Sequence, residues 1–372
     1  MPVGAGRLID TFVDLVRIDS PSGSEAGVAR YCADRLTALG FSVRFDDSRD
    51  RTRADTGNLI AELPGTVPGT LVLSAHMDCV QPCEGVEPVI GAEEISSAGE
   101  TVLGADDKAG IAAIIEAAAR VVAAGSARPA IRVVLTVSEE IGLQGAKALD
   151  PADAHGDLCL VLDADGPVGG MVVGAPTHYT FVATFWGKAS HAGVAPEDGR
   201  SAIVMASRAI AAMSLGRVDE CTTANVGTIE GGNATNVIAA RVSITGECRS
   251  LDPDRVEDVR RSMDTVMHEA ARAGGGTVDV SWTREYVGFS SAEDSQAVRL
   301  VSAACERIGV EPRTFTTGGG SDGNIFAEAG VPTLVLSCGM QSVHSTEERL
   351  ALADLRGLAD LVEAVVVVMA EE

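Results

Sequence analysis

Apolar residues recur at helical spacing over 8–16 and again over about 26–39, where Gly40 supplies a stop. A polar turn, Asp19-Ser20-Pro21-Ser22-Gly23-Ser24-Glu25, separates the two predicted helices. Short runs at 42–45, 58–62 and 70–75, punctuated by Gly and Pro, predict strands. An Ala- and Ile-rich helix is expected over 108–124. The run Ile131-Arg132-Val133-Val134-Leu135-Thr136-Val137 is too short and too β-branched for a helix and reads as a buried parallel strand. Residues 158–162 repeat that pattern and end in Asp163-Ala164-Asp165-Gly166.

From about residue 175 to 285 the texture changes. Alternating strands at 179–185 and 240–248 interleave with helices near 201–213 and 254–273, which predicts an α+β insert. The β/α pattern then resumes with a helix at 295–308, a strand at 331–337 and a final helix over 351–369. The expectation is an α/β fold whose first domain is discontinuous, 1–175 and 286–372, interrupted by a smaller domain at 176–285. No internal repeat or low-complexity segment interrupts this pattern.

A chain of 372 residues exceeds the usual limit for one core, and 46% apolar residues suffice for two. A net charge of -24 argues against nucleic acid or an anionic membrane as partner, because both would be repelled. The N-terminal Met1-Pro2-Val3-Gly4-Ala5-Gly6-Arg7 lacks a basic segment followed by an apolar core. The longest apolar stretch, near 365–369, is too short to span a bilayer. A cytoplasmic protein is expected. Eight cysteines, at 32, 79, 83, 159, 221, 248, 305 and 338, follow no framework spacing and read as reduced thiols. Lysine is confined to positions 108, 147 and 188, which draws attention to Lys108 inside an acidic motif.

The chemistry gathers at strand ends. Glu139-Glu140 directly follow the 131–137 strand, at the carboxyl edge where open α/β sheets bind ligands. They cap the next helix or they serve a site. His76-Met77-Asp78 follows the 70–75 strand. On extended backbone the two polar side chains share a face, so the Asp78 carboxylate could accept the proton of the non-ligating ring nitrogen. Gly104-Ala105-Asp106-Asp107-Lys108-Ala109-Gly110 places two acids at a helix start, where one suffices for capping. Asp163 ends its own strand, and His344 follows the 331–337 strand.

Together the edge offers His76, Asp106, Glu140, Asp163 and His344, one bridging carboxylate plus a carboxylate and a histidine for each of two ions. Nitrogen and oxygen donors without thiolate suit Zn2+, with Co2+ or Mn2+ as substitutes. So many carboxylates repel one another unless a cation neutralises them. Glu139 is left over as a base. These motifs, with Ser138-Glu139-Glu140 and Gly187-Lys188-Ala189-Ser190-His191-Ala192-Gly193, resemble the co-catalytic di-zinc metallopeptidases of the aminoacylase/carboxypeptidase type, nearly end to end. Leu103-Gly104-Ala105-Asp106-Asp107-Lys108-Ala109-Gly110 is most similar to the peptidase T-like, tripeptide aminopeptidase branch.

The resemblance implies a zinc-peptidase-like α/β/α catalytic domain with an inserted ferredoxin-like lid or dimerisation domain. It implies two zinc ions per subunit: His76 and Asp163 on one, Glu140 and His344 on the other, Asp106 on both. Asp78 would orient His76. Glu139 would deprotonate the bridging water and return the proton to the leaving amine. Asp165 competes with Asp163, which is preferred because it follows the strand directly. His191 would donate to the oxyanion, within one subunit or across a homodimer formed through the insert.

Substrate contacts are expected from Asn233 and Asn236 in Gly231-Gly232-Asn233-Ala234-Thr235-Asn236-Val237. Arg249 is expected to clamp a carboxylate, its rival role being a salt bridge with Asp252 or Asp254. Gly319 and Ser321, in Gly318-Gly319-Gly320-Ser321-Asp322-Gly323-Asn324, complete the set; this loop lacks the lysine and spacing of a phosphate loop. The expected function is zinc-dependent hydrolysis of an amide bond in short peptides. The alternatives are an N-acyl-amino-acid deacylase or dipeptidase, and a metal- or peptide-binding protein without turnover.

Overall fold

The computed structural model describes residues 5–371. Met1 to Gly4, part of the segment read for a leader, and Glu372 lie outside it. The described chain divides into two compact units, with boundaries at Val173/Gly174 and Phe289/Ser290. The short stretch Thr317–Gly320 clusters with the second unit, although in sequence it lies well beyond the insert.

The first unit is organised by a nine-stranded sheet. Its spatial order is Ser42–Phe45, Leu59–Leu63, Ala130–Thr136, Thr70–His76, Leu158–Ala164, Thr333–Ser337, Gly170–Ala175 and Phe289–Ser290, with Arg313–Thr316 also pairing to Gly170–Ala175. Ala130–Thr136, Thr70–His76, Leu158–Ala164 and Thr333–Ser337 run parallel. They are almost wholly buried, as strands covered on both faces must be. Parallel direction puts their C-terminal tips on one edge of the sheet.

Helix Ala105–Ala124 is buried nearly all round, which is why its sequence is rich in Ala and Ile rather than amphipathic. It packs against Ala5–Val16, Leu352–Glu371 and the Thr70–His76 strand. Its one buried acid away from the start, Glu116, is gripped by Arg7 and Arg120 at 2.8 Å each. A small sheet of Met340–Gln341, Arg349–Ala351, Glu94–Ser97 and Pro88–Ile90 frames the loop that carries His344.

The second unit is a five-stranded antiparallel sheet ordered Gly216–Asp219, Thr222–Gly231, Arg241–Ser250, Thr177–Trp186 and Thr277–Tyr286. Helices Ala202–Ala212 and Pro253–Ala273 pack on it and on each other. Its core joins Phe181, Ala183 and Phe185 to Val242, Ile244, Met205, Met263 and Met267. Alternate residues of the Thr177–Trp186 strand face outward, leaving Val182 and Trp186 exposed. Thr222–Gly231 and Thr277–Tyr286 escape sequence reading because much of their length is exposed and polar. Gly170–Ala175, fully buried, was hidden by its small residues. Among the described residues no helix is long and apolar enough to cross a membrane, and all eight cysteines are free, seven of them buried.

Phe185 has no exposed surface and anchors the insert's own core. Phe185→Ala is expected to cost about 3–5 kcal/mol of the insert's stability, read as an earlier insert transition in urea unfolding followed by Trp fluorescence.

Candidate active site

The register of the parallel strands brings the first residues together. His76 pairs level with Thr136, so the chain leaving Ala130–Thr136 delivers Glu139 and Glu140 beside it. Ser74 pairs with Val161, and two residues on along each strand lie His76 and Asp163. His76 Nε2 is 3.1 Å from Asp106 Oδ1 and 3.5 Å from Asp163 Oδ1. His344 Nε2 lies 3.2 Å from Asp106 Oδ2 and 3.0 Å from Glu140 Oε2. Asp106 therefore offers one oxygen to each histidine. All five residues expected at the edge meet there, and Asp165 is exposed outside the cluster.

The neighbouring acids that could have been helix caps divide their work. Glu139 and Glu140 precede the short helix Gln144–Ala148 by several residues and cap nothing; its N-cap is Leu143. Asp107 accepts from the Gly110 and His76 amides at 3.2 and 3.3 Å and so caps the long helix, while Asp106 is released into the cluster. Both have non-helical backbone. Lys108 is buried and donates to the Ile18 carbonyl at 2.9 Å, a structural use of the rare lysine.

Three further carboxylates hold this edge by its backbone. Glu348 accepts from the amides of Gly104 and Asp106 at 2.8 and 3.0 Å. Asp78 accepts from the Glu139 and Glu140 amides at 2.9 and 3.2 Å and from Ser22 Oγ at 2.6 Å. Glu25 accepts from Gly23 N at 2.7 Å and from Ser138 N and Oγ at 3.1 Å each. The expected contact of the Asp78 carboxylate with His76 Nδ1 is the longer one, 3.5 Å; the Asp78 carbonyl oxygen lies at 2.9 Å. Asp78 thus orients His76 chiefly through its backbone and spends its side chain on the glutamate pair.

Electrostatics reflect the crowding. Burial, then the charge of Asp163, pushes the Glu139 carboxyl well above its usual range. Burial pushes Asp163 up to about 7 against the pull of His76, and Asp322 up to about 6 against a hydrogen bond from Thr136. His344, beside Asp106 and Glu140, is raised to about 10. Burial alone would lower His76, but Asp106 and Asp163 raise it well above its ordinary value. Asp106 is held far down because its two histidines outweigh burial. Glu140 Oε1 is buried without a partner. A buried acceptor left unsatisfied among like charges, with only N and O donors around it, fits divalent cations. Two ligand groups, His76–Asp106–Glu140 and His76–Asp107–Asp163, have the compactness to hold an ion.

The other expected residues lie elsewhere. His191, in the insert, is exposed, its Nδ1 accepting from Gly193 N at 3.2 Å. Ala192 N donates to the Asn236 carbonyl at 2.9 Å, which sets His191 beside the exposed Asn233 and Asn236 segment. Arg249 pairs with Glu247 at 2.9 Å, neither Asp252 nor Asp254. Gly319 is exposed, its amide donating to Thr317 Oγ1 at 3.1 Å. Ser321 is the buried N-cap of Asp322–Glu328, in a capping box with Asn324. Packing accounts for one glycine of the run, since a Cβ on Gly320 would lie 2.2 Å from the Tyr286 ring.

Sequence reasoning missed Asp322, Glu348, Glu25 and the capping role of Asp107. Asp322 is buried with Oδ1 unpartnered and Oδ2 bonded to Thr136 Oγ1. Only its place at a helix start after three glycines marked it. Glu25 and Glu348 carried no signal, because their partners are backbone amides distant in sequence.

Residues 72–367 match the pattern of Peptidase family M20/M25/M40. The YqjE protein of Bacillus subtilis is 40% identical over 365 residues, covering 98% of each chain. The structure resembles that of aminopeptidase PepT from Bacillus cereus, with a TM-score of 0.91, 40% identity and complete coverage of both chains. It also resembles a tripeptidase from Staphylococcus aureus, with a TM-score of 0.95, 36% identity and complete coverage of both.

Two outcomes follow. Asp163 and Asp322 titrate near 7 and 6 in the folded metal-free chain against an ordinary 3.8, so ionising them removes stability as pH rises from about 4 to 7. His344, raised from 6.5 to about 10, contributes stability that is complete below 6.5 and lost as pH rises through 10. Both terms make metal-free stability fall with rising pH, and bound cations compensate the same carboxylates. The melting-temperature gap between metal-loaded and chelator-treated protein is expected to widen from pH 5 to pH 8; a constant gap would contradict this account. For the ligand itself, Asp163→Ala is expected to lose metal on equilibrium dialysis and Asp165→Ala to keep it.

Proposed function

The chain belongs to peptidase family M20/M25/M40, and on that premise we propose that it is a zinc-dependent aminopeptidase of short peptides, tripeptides foremost. It is a metallopeptidase, a hydrolase of peptide bonds. The observation that carries the finer reading is Glu139: only 8% exposed, next in sequence to a clustered acid, and with no hydrogen bond to its carboxylate among the described residues. Binding a metal requires no such spare acid.

In this reading His76, Asp163, Glu140, His344 and Asp106 would hold the two ions, Asp106 turning one oxygen toward each histidine. The ions would supply charge to polarise the scissile carbonyl and acidify the attacking water. Glu139 takes a proton from that water as its oxygen bonds to the carbonyl carbon, and delivers the proton to the amine nitrogen as the C–N bond breaks. Its raised proton affinity suits both halves of the transfer. Asp78 keeps the carboxylate aimed by fixing the amides of Glu139 and Glu140. His191 is the donor to the oxyanion, from the same or a partner subunit. Asn233, Asn236, Gly319 and Ser321 contact the peptide, and Arg249 takes a carboxylate of it.

The insert, 176–285, serves as lid and as the surface of a homodimer. Exposed Val182 and Trp186, on one face of its sheet, support the second role. Eight free thiols fit the reducing cytoplasm.

Glu139→Gln is expected to retain its metal while kcat falls about 10²–10⁴-fold, measured by metal analysis beside steady-state hydrolysis of Ala-Ala-Ala. Persisting turnover in that variant would refute Glu139 as base. The same zinc-loaded enzyme, profiled on tripeptides, dipeptides and N-acetyl amino acids, should favour the first; activity confined to the acylated substrates would make it a deacylase.

A further inference from the structure

Three adjacent strands of the insert set up a second arrangement of charges. Arg249 pairs across the sheet with His178, and His178 with Tyr286 on its other side. Glu247, two residues before Arg249, projects from the same face. One oxygen of Glu247, Oε2, receives both neighbours, lying 2.9 Å from Arg249 Nη2 and 3.0 Å from His178 Nε2. The His178 ring in turn lies 5.2 Å from that of Tyr286. Arg249 Nη1 leans toward Tyr286 Oη at 3.4 Å and the Gly318 carbonyl at 3.5 Å.

The guanidinium is therefore held at its two terminal nitrogens, yet its Nε is buried without a partner. A structural salt bridge would be expected to use that donor. A planar carboxylate can meet a guanidinium with two parallel hydrogen bonds end-on, at Nη1 and Nη2, or side-on, at Nε and Nη2. Glu247 bonds Nη2 through a single oxygen and leaves Nε, the other donor of the side-on edge, without a partner. Glu247 stays ionised, its pKa lowered to about 2 by the bond from His178 and then by Arg249.

We propose that His178 and Glu247 are positioning residues that fix the Arg249 guanidinium so that its Nε edge receives a free carboxylate of the substrate. This rests on the reading of Arg249 as the residue that takes a substrate carboxylate, and adds a specificity: the peptide must end in a free acid.

The test uses metal-loaded enzyme with Ala-Ala-Ala and its C-terminal amide, each variant first checked for folding by circular dichroism. Wild-type enzyme is expected to prefer the acid, mainly through KM. Glu247→Ala should reduce that preference about tenfold by raising KM for the acid. Glu247→Gln, whose oxygen still accepts from the same donors, should restore most of it, and His178→Phe should reduce it by a smaller factor. An acid preference that survives intact in both Glu247→Ala and His178→Phe overturns the relay while leaving Arg249 its role. Equal rises in KM for acid and amide also overturn it. A wild-type enzyme indifferent to acid or amide removes the reading of Arg249, and the relay with it.

Discussion

Repulsion among carboxylates governs the catalytic edge. Asp106, Glu140 and Asp163 converge on one imidazole, with Glu139, Asp107 and Asp322 buried alongside. No polypeptide collects so much negative charge in a dry place without an opposing charge: burial first, and neighbouring carboxylates after it, raise Glu139, Asp163 and Asp322 above their ordinary range. The sheet makes the convergence unavoidable. Four parallel strands end on one edge, and the residues following them have nowhere else to go.

Holding the edge together requires that the loops resist the repulsion, and the chain does so with more carboxylates. Glu348 binds the approach to Asp106, Asp78 the approach to Glu139 and Glu140, and Glu25 the turn at Ser138, whose φ of 54° places it in the left-handed region. Each works through backbone N–H groups, which stabilise an ionised acceptor in a buried site. The amide bonds offset part of the burial that raises Glu25 and Glu348, and Asp78, which also faces His76, is lowered.

Much of this was legible in the chain. Strand-end His76, Asp163 and the Glu139-Glu140 pair stood out because apolar runs make their strands visible and a polar residue at the end of such a run demands an explanation. His344 was visible for the same reason, although its loop is framed by short strands with no recognisable pattern. The insert's outer strands were not legible, because a half-exposed strand such as Thr222–Gly231 has the composition of a loop. Glu25 and Glu348 were invisible because a carboxylate that clamps distant amides leaves no local spacing to read. In the glycine run, Gly320 answers to the ring of Tyr286, a partner distant in sequence.

The two sorts of acid can nevertheless be told apart once the fold is known. Asp78, Asp107, Glu25 and Glu348 each accept from at least two backbone amides. Asp106, Glu140 and Asp163 face only imidazoles, and Glu140 keeps a buried oxygen without any donor. Asp78 and Glu348, held by the backbone, have less left to offer a cation or a proton, whereas Glu25 keeps Oε2 buried without a partner and Asp107 lies in a compact group with His76 and Asp163. An acid starved of donors in a buried setting is costly to the fold and is kept for what it can bind. Glu139 belongs with the second group, and unlike its neighbour Glu140 it does not face His344, which is what supports its proposed part in proton transfer. The same reasoning separates Glu247 from Arg249 in the insert: the first is satisfied by two donors, while the second keeps one donor in reserve.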